Sequence, residues 1–85
     1  MEQYIFIMCR SLTYAQRAAR VLEKHGIYAS VSRSPMGVSP EGCSQGVKAA
    51  WRKRREALEL VRANGIAVGK IYVIYDDGSA AEIKL

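Results

Sequence analysis

Residues 3–9, QYIFIMC, carry apolar side chains at odd and even positions alike. That pattern predicts a central strand covered at least partly on both faces. Behind it, Ala15, Ala18, Val21, Leu22 and His25 recur at helical spacing, with Thr13 and Gln16 placed as a capping box. Gly26 supplies the left-handed residue expected to close this helix, and Ile27 is expected to pack back over its last turn. Alternation resumes in IYASVSR, residues 27–33, as a second strand. Pro35, Gly37, Pro40 and Gly42 then break the chain into a loop of about ten residues.

The stretch GVKAAW, 46–51, reads as a short third strand with Val47, Ala49 and Trp51 on one face. The same region also fits one long helix over 44–64, because Val47, Ala50, Trp51 and Arg54 fall at helical spacing, so periodicity leaves 44–52 open between strand and helix. A helix covers about 53–64 in both readings, with Ala57, Leu58, Leu60 and Val61 inward and its end at Asn64-Gly65. KIYVIY, 70–75, is the clearest strand in the chain. Asp76-Asp77-Gly78 signals a turn, after which SAAEIKL, 79–85, either folds back as a short edge strand or frays.

Both helices close alike, in LEKHGI and LVRANGI, on a glycine followed by isoleucine. The similarity suggests two βαβ-like halves. It predicts a ferredoxin-like βαββαβ sandwich of α/β (α+β) class, with two helices on one face of a four-stranded antiparallel sheet. Residues 1–78 are expected to form that one domain and 79–85 its tail or edge strand.

Composition narrows the chemistry. The 85 residues include 13 Lys plus Arg against 8 Asp plus Glu, a formal net charge of +5, which favours an acidic partner without specifying it. No segment is long and apolar enough to span a membrane, and MEQYIFIMCR has neither a basic leader nor a cleavage site. The expectation is a cytoplasmic protein with no membrane partner. Cys9 and Cys43 lie far apart in sequence and lack neighbouring histidines, so no metal site is expected. No carboxylate pair, Ser/His pair or phosphate loop points to an enzyme or a cofactor. His25 reads as a structural residue near a helix end, and Asp76 and Asp77 as turn residues.

Cys43 is the unusual position, a thiol in the polar loop segment SPEGCSQG. In the predicted sheet, strands are ordered 4-1-3-2, so the end of strand one, Cys9, lies beside the start of strand three, just after Cys43. The first helix begins at that same end, where its free N–H groups carry a partial positive charge, and Arg10 and Arg33 end the two nearby strands. Such a field favours thiolate over thiol. Gly42, Ser44 and Thr13 complete the expected surroundings. The residues alone leave open whether Cys43 is a reactive thiol or a small turn residue, and whether Cys9 is a resolving thiol or a buried strand residue.

The order of features resembles the small selenium/sulfur carrier-like protein family. The likeness rests on an N-terminal YIF strand, an Ala/Arg-rich helix closing on HGI, a Pro- and Ser-containing loop leading to one cysteine, and a final IYVIY. It covers about Tyr4 to Tyr75. In the family the loop cysteine is followed closely by glycine and a short apolar strand; here Ser44 and Gln45 intervene before Gly46. The resemblance implies that Cys43 holds a persulfide or selenopersulfide for transfer between donor and acceptor proteins.

Two other classes compete. Arg52, Lys53, Arg54 and Arg55 are contiguous cations at the predicted start of the second helix, against its dipole, which suggests anion capture, RNA included. Tyr4, Phe6, Tyr28, Tyr72 and Tyr75 are candidate stacking faces. Alternatively, the helix-free sheet face forms a homodimer that covers Tyr4, Phe6 and Tyr72.

Overall fold

The computed structural model describes residues 3–35 and 44–85. Elements follow in the order β1 (Tyr4–Cys9), α1 (Leu12–Lys24), β2 (Ala29–Arg33), β3 (Gln45–Ala50), a 3-10 turn (Trp51–Lys53), α2 (Arg54–Ala63), β4 (Ile71–Ile74) and β5 (Ala80–Ile83). The strands form one five-stranded sheet in the order β2-β3-β1-β4-β5, with antiparallel pairing throughout. The mixed α+β class and the order of the first four strands match the sequence expectation. The expected count of four strands is corrected to five. The tail returns along β4, pairing Ile71 with Ile83 and Ile74 with Ala80.

The ambiguity over 44–52 resolves as strand for Gln45–Ala50, with Arg52 and also Trp51, expected within the 46–51 strand, in the 3-10 turn instead, which overturns the long-helix reading. Val47 pairs with Ile7 on one side and Val31 on the other, so this segment fills the gap between β1 and β2. A helix here would leave both neighbours' backbone groups unpaired, a cost no helical periodicity offsets.

Both helices end as expected, and more alike than glycine alone requires. At the end of α1, Gly26 has φ 78° and donates to Glu23 O, while Ile27 N–H reaches Leu22 O at 2.9 Å. At the end of α2, Gly65 has φ 75° and donates to Arg62 O, while Ile66 N–H reaches Val61 O at 3.3 Å. These are the paired bonds of a Schellman cap, each followed by a buried isoleucine. In both, the residue before glycine also returns its side chain to the carbonyl four back. His25 Nδ1 meets Val21 O at 2.9 Å, and Asn64 Nδ2 donates to Leu60 O at 2.8 Å. His25 is therefore an exposed structural residue at the helix end, as expected, and its capping role is a finding of the structure.

The start of α1 is corrected. The cap is Ser11, whose Oγ accepts from Tyr14 N–H at 3.4 Å, and Thr13 lies exposed inside the first turn.

Alternation along β1 separates two apolar clusters. Ile5, Ile7 and Cys9 face the helices and pack with Ala15, Ala18, Leu22, Val47, Ala57, Val61 and their neighbours. Phe6 and Met8 face the other way with Tyr72 and Ile74. The reading of this helix-free face as an open one is corrected at two of its three aromatics, because Phe6 is 0% and Tyr72 5% exposed within a single chain and neither needs a second copy to cover it. Part of the reason is local: a Cβ at Gly46 would stand 2.5 Å from Phe6 Cζ and collide with Ile7 O, so the ring occupies space that only glycine leaves free.

Candidate functional site

Three strands and one helix converge at the end of the sheet where β1 finishes. Antiparallel register sets Cys9 opposite Gln45 and Arg33 opposite Gln45, so the three residues form one row across β1, β3 and β2. The row follows from chain direction, since β1 and β2 both arrive at this end and β3 departs from it. One step beyond, Ser34 N–H donates to Ser44 O at 2.8 Å and closes the base of the connection between β2 and β3. Cys43 and Gly42, both singled out from the sequence, lie outside the described residues.

The side chains at this end differ in character. Cys9 is 1% exposed, within the helix-side core, with Sγ 3.6 Å from Ile7 O. Arg10 and Arg33 are exposed at the ends of β1 and β2. Between Cys9 and α1 stand only Arg10 and the Ser11 cap, and the first turn of α1 carries no acidic side chain to neutralise its positive end. A helix N-terminus without a local carboxylate presents partial positive charge to whatever lies in front of it. Thr13, expected as the cap, is an exposed member of that turn and caps nothing.

Gln45, Ser11 and Gly69 were not singled out from the sequence. Gln45 became visible only through register. Ser11 carried a usable signal as a serine directly ahead of a helical pattern, but the Thr13-Gln16 spacing masked it. Gly69 N–H donates to Met8 O at 2.8 Å and Met8 N–H to Lys70 O at 3.0 Å, which continues the β1–β4 pairing to the end of β1.

The basic run stands at the other end. Trp51 N–H donates to Gln3 O at 3.0 Å, beside the start of β1, so Arg52–Arg55 and Cys9 are separated by the length of β3, about 17 Å at the usual strand rise. Arg54 is used locally: its guanidinium lies 4.4 Å over the Trp51 ring and donates to Trp51 O at 3.1 Å. Lys53 approaches Glu56 at 3.7 Å, both side chains about half exposed. Arg52 and Arg55 are exposed and make no ion pair among the described residues. Of the proposed stacking aromatics, Phe6 and Tyr72 are buried. Tyr4 is half-buried with Lys48 Nζ 4.7 Å from its ring, and Tyr28 and Tyr75 are exposed.

Among the described residues no group of three His, Cys, Asp or Glu side chains gathers to hold a metal, and no helix is long and apolar enough to cross a membrane. Residues 4–73 match the family described as "Putative Se/S carrier protein-like", a span that includes both cysteines. No curated protein matches the chain.

Proposed function

The chain belongs to the Se/S carrier protein-like family, and from that premise we propose that Cys43 carries sulfur or selenium as a persulfide or selenopersulfide. The observation that carries this reading is the Cys9–Gln45–Arg33 row beside the start of α1. It anchors the strand that begins two residues after Cys43 at the end of the sheet where a helix N-terminus and two arginines favour a thiolate.

The transfer is a pair of displacements. The Cys43 thiolate attacks the outer sulfur of a donor persulfide, forming Cys43–S–SH and releasing the donor thiolate. A thiolate of the acceptor then attacks that outer sulfur, taking it as a new persulfide and restoring the Cys43 thiolate. The cycle consumes no cofactor and asks of the protein one accessible thiolate and a surface that docks donor and acceptor in turn. Such a role suits a small chain acting as a carrier rather than an enzyme, in the cytoplasm where thiols stay reduced. Arg10 and Arg33 hold the local field positive, and Ser44 and Gln45 tie the cysteine to β3. The fold is read as ferredoxin-like, extended by β5 at one edge.

Alkylation of Cys43 as a function of pH tests the thiolate. The expected result is reaction at neutral pH faster than that of an unstructured cysteine peptide. A rate equal to the peptide's removes the basis for the carrier reading.

A further inference from the structure

We infer that the end of the sheet opposite Cys9 binds single-stranded nucleic acid, through Arg52, Lys53 and Arg55 for phosphate and Tyr28 for a base. The cations line a shallow depression of about 650 Å³ together with Arg54 and Glu56. Arg54 is stacked on Trp51, and Lys53 lies 3.7 Å from Glu56 in an exposed pair that a phosphate can displace at little cost. Arg52 and Arg55 stand in solvent without ion pairs among the described residues, at the start of a helix whose dipole disfavours cations there. A phosphate backbone relieves that repulsion and releases counterions as it binds.

Tyr28 identifies the class of polyanion. It is 77% exposed, the most exposed large hydrophobic side chain among the described residues. It directly precedes Ala29, whose partner on β3 is Ala49, and β3 runs one residue further to Ala50 before the basic turn begins. An exposed aromatic face at the same end of the sheet as a run of cations offers the two contacts that single strands use, base on ring and phosphate on guanidinium. A duplex hides its base faces, and an acidic protein segment has no need of the ring. The structure also moves this site away from the sheet face, because Phe6 and Tyr72 are buried. Tyr75, though exposed, adjoins Asp76 and Asp77, which repel phosphate.

The test is fluorescence anisotropy of a labelled twelve-nucleotide oligouridine across a salt series. Binding is expected, with a slope of log K against log salt of about −2 for three cations. Replacing Arg52 and Arg55 together by Gln should reduce the slope to about −0.7. Tyr28→Ala should weaken binding about five- to a hundredfold at every salt concentration and leave the slope unchanged. Amide shifts in the wild-type chain should cluster at residue 28 and residues 52–55, a readout that needs no variant. The inference is overturned by absence of binding at low salt, by equal affinity for a polyglutamate of the same length, or by undiminished affinity of Tyr28→Ala. This site and Cys43 are tested by separate readouts, so either can fail alone.

Discussion

Cys9 and Gln45 are cross-strand partners, and Gln45 in turn partners Arg33, so the buried thiol ending β1 is in register with the strand that begins two residues after Cys43. The two thiols should therefore behave differently. In the reduced native protein, an alkylating reagent should modify Cys43 and leave Cys9, 1% exposed, untouched until denaturant is added. Equal labelling of both would contradict the burial. Cys9→Ala removes only a sulfur from the core and should cost about 1 kcal/mol in urea unfolding while the fold is kept.

Gly46 is required by contact and not by backbone conformation. An added Cβ meets the Ile7 carbonyl and the Phe6 ring, neither of which can withdraw without disturbing β1. Gly46→Ala should lower unfolding free energy by about 1–3 kcal/mol, in the manner of an overpacked core. At Gly26 and Gly65 nothing lies within 4 Å and the positive φ alone disfavours alanine, at about 1–2 kcal/mol each. Urea titrations of the three variants separate the two causes when repeated in a Phe6→Leu background, which removes the ring contact at Gly46, leaves the Ile7 carbonyl contact, and changes nothing at Gly26 or Gly65.

At the start of α1, Ser11→Ala should cost about 0.5–1 kcal/mol, the low end for a cap because the bond is 3.4 Å long. Thr13→Ala should lie within about 0.5 kcal/mol of wild type, as an exposed helix position does. The reverse ranking in thermal unfolding would restore Thr13 as the cap.

The β4–β5 turn carries a pH dependence. The Ser79 hydroxyl and backbone N–H both donate to Asp77 Oδ1, at 2.6 and 2.9 Å, and hold its carboxyl below the ordinary value of 3.8. A carboxyl depressed in the folded state contributes stability that is present above its unfolded pKa and is lost as pH falls through the folded value. Asp77→Asn should therefore be less stable than wild type near neutrality, with the difference shrinking on acidification below 3.8. A difference that stays constant with pH would assign the effect to something other than ionisation.

What the sequence made legible was local, or set by chain direction. The Gly26-Ile27 and Gly65-Ile66 endings could be read because a Schellman cap needs only neighbouring residues. The meeting of β1 and β3 at one end followed from topology once the strands were assigned. Residues 44–52 stayed ambiguous because Val47, Ala50 and Trp51 satisfy both periods, and only pairing with Ile7 and Val31 decides between them. Four-residue β5 has too little pattern to declare itself without β4 beside it. The apolar run of β1 correctly implied cover on both faces. That Phe6 and Tyr72 would be buried within one chain depended on long-range packing, including the space left at Gly46.

The central claim is that Cys43 carries sulfur, and intact-mass measurement after exposure to a low-molecular-weight persulfide tests it most directly. The wild-type chain and Cys9→Ala should each gain one sulfur, released by a thiol reductant, and Cys43→Ala should gain none. No gain in the wild type, or an equal gain in Cys43→Ala, would contradict the account.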